Sequence, residues 1–274
     1  MRPLVVAILV GFFQTTLPAI AASNSATSRL AGQMAEAAKT IPDSLFILHS
    51  SDSDVAFSGW FSATCRESCT RIASFFDTSW IHPFDIYLYS DRASIDKQWQ
   101  QDWGMPDFKS ECWMVASGIG TRLDYLSPHA WRTEACEHDA DDTLEWKEIL
   151  THELTHVFNG QHNPVPDFTG LDSIGWLVEG LAVLVSGQLD AERLTQAHDA
   201  VANHQIPSHL ADFWSGSHRY AICGSLVHYI DQAYGRQTIR RLLCCVSEEQ
   251  VLAILGITES ELIENWKTSL VKGD

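Results

Sequence analysis

The chain has 274 residues, 45% of them hydrophobic, and its 35 acidic and 18 basic side chains give a formal net charge of −17. Nucleic acid and anionic membrane surfaces are disfavoured as partners, because both would repel such an acidic protein. The length is sufficient for one well-cored domain or for two small subdomains packed together.

The first 22 residues have the pattern of a secretory signal peptide. Arg2 supplies a basic start, an apolar run covers residues 4–13, and small residues precede a polar segment. A retained membrane anchor is the alternative reading, but polar residues and Pro18 interrupt a run that is already short for a membrane span. We therefore expect cleavage near Ala21 or Ala22, a secreted or periplasmic protein, and no stable membrane insertion afterwards.

The first half of the remaining chain predicts a mixture of helices and strands. Apolar and small residues recur with helical spacing over 27–39 and 55–76, and Asp91 is placed to cap a helix that extends to about residue 99. Strands are predicted over 44–49, 84–89 and 122–126, the last preceded by a glycine-containing segment over 116–120.

From about residue 142 onward, helical patterns replace the strands. Helices are predicted over 144–159, 174–187, 190–203, 220–234, 236–246, 248–254 and 259–271. The sequence therefore predicts an α+β protein with an N-terminal α/β subdomain (23–142) and a helical subdomain (143–274). A cleft between two such halves is a usual place for an active site.

Because an exported protein enters an oxidising compartment, its seven cysteines can form at most three disulfides. Cys112 with Cys136 is the preferred pair, because both lie in a loop-rich stretch where a disulfide would fix the approach to the helix that begins near residue 144. The Cys65-x-x-x-Cys69 pattern and the adjacent Cys244 and Cys245 are alternatives as soft metal ligands. Disulfides or buried thiols are favoured for them in an oxidising compartment.

The most informative motif is His-Glu-Leu-Thr-His at residues 152–156. On a helix, His152 and His156 lie one turn apart on the same face, where both rings can reach one metal ion. Glu153 is turned by about 100° around the helix axis, so it reaches the reacting water instead of the metal. This is the HExxH arrangement of zinc metallopeptidases. Two surface or hydrogen-bonded histidines near a helix end are the alternative.

The helix that carries this motif also has a face for packing. Leu150, Leu154, Val157 and Phe158 follow an i, i+4, i+7, i+8 pattern and form an apolar stripe roughly opposite the two histidines. We therefore expect one buried face and a polar face that carries the metal-binding groups.

A catalytic zinc ion takes three protein ligands and keeps one position open, so the motif leaves the metal one ligand short. Glu179 lies in an otherwise apolar helical segment (176–182), where metal coordination would offset the cost of burying a carboxylate. The small Gly180 and Ala182 would let this segment approach the first helix closely. A salt bridge or a solvated position is the alternative for Glu179.

The two motifs together resemble the gluzincins, zinc metallopeptidases with a thermolysin-like core, and especially their small bacterial members. The resemblance covers roughly residues 40–245. It implies that His152, His156 and Glu179 bind one zinc ion per chain and that Glu153 is the general base. It also implies a thermolysin-like fold with the active site between the two halves of the chain.

The resemblance extends to a later helix. Small gluzincins tend to have a tyrosine at the start of a helix that ends in Tyr-Gly, and here Tyr220 precedes Tyr234 and Gly235 in that way. Tyr220 is the candidate donor to the oxyanion, since a phenol donates a hydrogen bond without losing its proton at neutral pH. His218 is the alternative donor, and simple packing is the alternative role for Tyr220. Thermolysin-like enzymes have a histidine-orienting carboxylate where Val183 stands, so the orienting partners stay open.

The expected function is hydrolysis of peptide bonds in a peptide or protein substrate. Gly118 and its neighbours are the expected sheet edge on which an extended substrate pairs, as in related enzymes. A catalytically silent scaffold or binding protein with the same fold is one alternative, and Glu153 argues against it because a structural zinc site needs no general base. A zinc hydrolase of a non-peptide amide is the other alternative.

Overall fold

The computed structural model describes residues 39–42, 45–51 and 54–272. Within these ranges the chain is an α+β protein with one five-stranded sheet, ten α-helices and two short 3₁₀ turns. The signal-peptide prediction and almost all of the helix predicted over 27–39 lie outside the described residues. No helix in the described part is long and apolar enough to cross a membrane.

The sheet has the spatial order β1-β2-β3-β5-β4. Its strands are β1 (Lys39–Pro42), β2 (Phe46–Ser50), β3 (Phe84–Tyr89), β4 (Ala116–Ile119) and β5 (Arg122–Leu126). The three central strands are parallel, and the outer strands β1 and β4 are antiparallel to their neighbours. Leu48, Ile86 and Leu123 align across the central strands and are fully buried, so this face of the sheet packs against the core. β4 is an edge strand.

The helices follow in chain order. They are α1 (Val55–Phe76), α2 (Arg92–Asp102), α3 (Pro128–Glu134), α4 (Thr143–His162), α5 (Gly175–Ser186), α6 (Ala191–Ala202), α7 (Arg219–Tyr234), α8 (Arg236–Leu242), α9 (Glu248–Leu255) and α10 (Glu259–Lys272). α1 connects β2 to its parallel neighbour β3, and α2 lies between β3 and β5, which is how parallel strands are joined. All five strands precede residue 127 and seven of the ten helices begin after residue 142. The division into two subdomains stays a prediction.

A short helix that the sequence pattern does not predict, α3, begins at Pro128 directly after β5. Proline suits this position because the first helical N–H has no intrahelical partner and the fixed φ of proline is helical. Lys39, the last residue of the predicted N-terminal helix, instead begins β1.

The motif helix α4 lies at the centre of the fold. Asp142 caps its N terminus by accepting hydrogen bonds from the backbone amides of Leu144 and Glu145. α1, α5 and the edge strand β4 pack around it. Because α4 is covered on all these sides, every residue from Ile149 to Gln161 is buried. The expectation of a single buried face is corrected: the face that carries the histidines and Glu153 is buried as well.

Glycines set the distance between α4 and the edge of the sheet. A Cβ atom on Gly118 would lie 2.3 Å from the backbone oxygen of Glu153. A Cβ atom on Gly160 would lie 2.5 Å from the Pro166 oxygen and 2.6 Å from the Gly120 nitrogen. The backbones meet here because no side chain separates them, and Gly120 donates its N–H to the Pro166 oxygen at 2.9 Å.

The preferred disulfide is confirmed. Cys112 and Cys136 are bonded, with their Cα atoms 5.2 Å apart. The other cysteines are thiols, of which Cys244 is exposed and the rest are buried. A disulfide is consistent with an extracellular location.

Gly160→Ala is expected to destabilise the protein by about 1–3 kcal/mol, because the added methyl group meets backbone atoms that cannot move independently. Gly59 is the matched control, since it lies on the exposed side of α1 with nothing within 4 Å of an added Cβ. Gly59→Ala is expected to stabilise by up to about 1 kcal/mol through helix propensity. Urea or thermal unfolding measures both changes, and an equal response of the two variants would contradict the close approach at Gly160.

Candidate metal centre

Two helices bring three predicted ligands together. His152 and His156 lie one turn apart on α4, and Glu179 faces them from α5. Glu179 Oε2 is 3.4 Å from His152 Nε2 and 3.7 Å from His156 Nε2. One ligand atom from each residue lies within 4.8 Å of the other two, and all three side chains are buried. The chain therefore contains a His-His-Glu group that could hold a metal ion.

These separations suit a small tetrahedral ion. Two ligand atoms bound to zinc at about 2.0–2.1 Å lie roughly 3.3–3.4 Å apart when the angle between them is tetrahedral. His152 Nε2, His156 Nε2 and both Glu179 oxygens are buried without a hydrogen-bond partner among the described residues. Leaving so many buried polar atoms unsatisfied is costly, and binding a cation would remove that cost. The residues fit a metal on both counts.

Without a cation, burial favours the neutral form of each ligand. Desolvation lowers the pKa of His152 and holds the pKa of His156 well below its ordinary value. Desolvation also raises the pKa of Glu179 well above the usual range, and the charge of Arg219 opposes that shift. Neutral imidazoles are the forms that bind metals, so both histidines are ready to coordinate. A bound divalent cation would return Glu179 to its anionic form.

Glu153 has a different place from the three ligands. It is fully buried, and neither of its carboxylate oxygens has a hydrogen-bond partner among the described residues. Burial raises the pKa of Glu153 to about 8, with His152 opposing the shift and Glu179 adding to it. The Glu153 carboxylate lies outside the group of converging ligand atoms.

Gln188 is a residue of the site that sequence reasoning missed. Its side-chain oxygen lies 2.8 Å from His152 Nδ1, and Gln188 itself is buried. An amide oxygen can only accept, so His152 Nδ1 carries the proton and Nε2 presents its lone pair to the metal position. Gln188 directly follows Gly187, whose positive φ of 94° ends α5. Arg193 donates a hydrogen bond from its guanidinium to the Gln188 backbone oxygen, which holds this turn in place.

Val183, which stands where a carboxylate could have oriented a histidine, has another role. Val183 packs against α7, where a Cβ atom added to Gly224 would lie 2.6 Å from Val183 Cγ1. The only sequence signal for Gln188 was the glycine before it, which turns the chain back after α5. His156 Nδ1 has no hydrogen-bond partner among the described residues.

The expected role of Gly180 is wrong. A Cβ atom at Gly180 would lie 2.5 Å from the Cys223 backbone oxygen and 2.6 Å from Val227 Cγ2, so Gly180 faces α7 and not α4. It lets α5 and α7 approach closely. Tyr220 lies in the first turn of α7, so this contact brings Tyr220 close to α5, the helix that carries Glu179.

Tyr220 lies next to the centre. Its ring centroid is 6.4 Å from that of His152, and its buried hydroxyl has no hydrogen-bond partner among the described residues. Burial raises the pKa of Tyr220 well above its ordinary value, with Glu179 adding to the shift and Arg219 opposing it. The hydroxyl therefore keeps its proton and can donate. His218, the alternative donor, is half-buried at the residue that precedes α7.

No protein-family model matches the chain, and a comparison with curated proteins finds no match. The chemistry of the site therefore has to be argued from its own residues. His152, His156 and Glu179 can hold a metal ion, Glu153 can exchange a proton, and Tyr220 can donate a hydrogen bond.

Zinc added to chelator-treated protein is expected to raise the unfolding temperature, because a ligand that binds only the folded state stabilises it. At a concentration 1,000 times the dissociation constant the gain is about 4 kcal/mol, or roughly 10 °C for a domain of this size. Glu179→Gln should lose most of this gain, whereas Glu264→Gln, at an exposed position on α10, should keep it. An equal zinc response of the two variants would exclude Glu179 as a ligand.

Gln188→Leu is expected to weaken zinc binding about 10- to 100-fold, because His152 loses the acceptor that fixes its tautomer and ring orientation. Gln188→Glu retains an acceptor and should bind zinc about as tightly as the wild type. Competition with a chelator of known affinity measures both variants. Wild-type affinity in Gln188→Leu would show that the contact does not orient the ligand.

Proposed function

We propose that the chain is a secreted or periplasmic zinc-dependent peptidase of the gluzincin type, with a thermolysin-like core. The observation that carries the proposal is the carboxylate of Glu153, which is buried without a hydrogen-bond partner beside a group of residues that fits a metal. A site that only held zinc for structural reasons would not need this group, and burying it unpaired is costly. A role in proton transfer accounts for that cost.

Bound zinc would lower the pKa of a water molecule and polarise the substrate carbonyl. Glu153 accepts the proton of the attacking water at a carboxylate oxygen and later passes it to the nitrogen of the leaving amine. Burial without a cation raises the pKa of Glu153, and a divalent ion held by the neighbouring ligands would lower it again, so that the carboxylate is anionic and can accept a proton. The fixed position of Glu153 on α4, one residue after His152, keeps the base beside the metal ligands.

Two further features support a peptide substrate. Tyr220, whose ring lies 6.4 Å from that of His152, would donate a hydrogen bond from its hydroxyl to the oxygen that becomes negative when the carbonyl is attacked. The strand β4 lies at the edge of the sheet and its Gly118 contacts the α4 backbone at Glu153. An extended peptide that pairs with this edge would pass close to the base.

Substitution of the two glutamates separates metal binding from catalysis. Glu153→Gln is expected to keep its zinc and to lose at least about 10²- to 10⁴-fold in activity, the usual contribution of a positioned general base. Glu179→Ala is expected to lose much of both, because it removes a ligand. Bound metal is measured by elemental analysis, and activity by mass spectrometry of a mixed peptide library.

Glu264→Gln serves as the control, because it removes one exposed carboxylate far along the chain from both motifs. Full activity in Glu153→Gln would refute the mechanism. A wild-type protein that binds zinc and cleaves no member of the library would instead favour a scaffold or a hydrolase of a non-peptide amide.

A further inference from the structure

Arg219, the first residue of α7, lies among three aromatic rings next to the metal centre. Its guanidinium carbon is 5.1 Å from the ring centre of Trp214, 5.3 Å from that of Tyr220 and 5.9 Å from that of Trp113. These distances are within the range of cation–π contacts. Arg219, Trp113 and Trp214 are half-buried, whereas the metal-binding residues are fully buried. We refer to these three partly exposed side chains as the Arg219 rim.

The Arg219 rim is directly connected to the centre. Trp214 packs edge-on against Tyr220 with ring centroids 4.8 Å apart, and Tyr220 in turn lies 6.4 Å from the His152 ring. The positive charge of Arg219 acts on Glu179 and Tyr220, where it opposes the rise in pKa that burial causes. Only the ring of Tyr220 therefore separates the Arg219 rim from His152.

Arg219 lacks the carboxylate partner that other arginines have. Arg122 pairs with Asp124 at 2.8 Å, and Arg236 pairs with Asp231 at 2.7 Å. For Arg219 no carboxylate of the described residues lies within 4.0 Å, and its Nε has no hydrogen-bond partner among them. A guanidinium can bind a carboxylate through two parallel N–H groups. Apart from a side-chain contact with the Tyr220 hydroxyl, Arg219 keeps that capacity beside the site.

The charges at the site also favour an anion. A divalent metal would be balanced by the carboxylates of Glu179 and Glu153, which leaves Arg219 as an additional positive charge. The indole rings next to it displace water, and electrostatic attraction is stronger where water is excluded. A carboxylate bound at the rim would restore charge balance.

We propose that Arg219 binds a carboxylate of the peptide substrate next to the scissile bond, with Trp113 and Trp214 flanking it. This inference rests on the proposed peptidase function. The carboxylate is either the C-terminal one of the substrate or that of an Asp or Glu side chain. In the first case the enzyme would remove residues from the C terminus of peptides, and in the second it would cleave beside acidic residues.

The kinetic test uses peptide pairs that differ only in this charge. One pair is a pentapeptide with a free C-terminal carboxylate and its C-terminal amide, and the other is an end-blocked pentapeptide with Asp at each position in turn and its Asn counterpart. The zinc-loaded protein is expected to show at least about tenfold higher kcat/KM for the charged member of one pair. The pair that shows it identifies the source of the carboxylate.

Variants assign this preference to Arg219. In Arg219→Met the alkyl chain remains against the rings, and the preference is expected to fall to within about twofold. Arg219→Lys keeps the positive charge but loses the two parallel N–H donors of the guanidinium, so it should keep only part of the preference. This variant tests the same point if Arg219→Met does not fold. Arg241→Met, at an exposed arginine on α8, is the control and should keep the full preference.

Binding without turnover separates the two proposals. The same peptides are titrated calorimetrically into zinc-loaded Glu153→Gln, where the charged peptide should bind at least about tenfold more tightly, and into Glu153→Gln with Arg219→Met, where the difference should vanish. If this difference is found but the wild type cleaves no peptide, the peptidase proposal fails and the carboxylate site stands.

Equal affinity and equal kcat/KM within both pairs would overturn the proposal. So would a preference that survives in Arg219→Met, because the carboxylate would then be binding the metal itself.

Discussion

The structure depends on one costly arrangement, the burial of the imidazoles of His152 and His156 and the carboxylates of Glu153 and Glu179, whose Nε2 atoms and oxygens have no hydrogen-bond partner among the described residues. His152 and His156 lie in the stretch of α4 from Ile149 to Gln161 that is buried throughout, and Glu179 comes from a second apolar helix. Each of these groups could have been solvated on a surface helix at little cost. Placing them in the core is stable only if something else satisfies them, and their separations suit a metal ion. A bound ion would therefore stabilise this folded state more than it would stabilise a protein whose ligands were exposed.

This arrangement also explains where the backbone comes closest together. Gly118 lets the edge strand contact the α4 backbone at Glu153, and Gly180 lets α7 contact α5. A side chain at either position would push an element of the site outward by more than the tolerance of a metal–ligand bond. Small residues are thus required on both sides of the centre, although neither glycine touches the metal position.

Much of the centre was predictable because its information is local. The spacing of His152 and His156 on a helix fixes two ligands and separates Glu153 from them, whatever surrounds the helix. Glu179 could be found because a carboxylate in an apolar helix needs a partner. The sequence could not show that Val183 packs against α7 or that Gly180 faces α7, since both contacts depend on how α7 packs against α5. Gln188 was hidden for the same reason, because a turn after α5 and not a helical repeat brings it to His152.

The fold itself was predictable to a similar extent. The bounds of α1, β3 and β5 agree with the sequence pattern because the periodicity of their apolar residues defines them locally. The order of the strands has no such local signal, and the edge position of β4 follows from pairing across distant parts of the chain. The Arg219 rim is the least local part, since Trp113 and Arg219 come from opposite halves of the sequence.

The loop that carries Trp113 is held by contacts that do not depend on the metal. His138 lies 2.9 Å from the Trp113 backbone oxygen through Nε2 and 2.8 Å from Glu145 through Nδ1, which ties the loop to the first turn of α4. Arg92 donates to three backbone oxygens of the same loop, and the Cys112–Cys136 disulfide closes it. A loop fixed at so many points loses little conformational entropy when a ligand binds against it. The disulfide and the buried contact between His138 and Glu145 therefore hold the Trp113 loop at a set distance from α4.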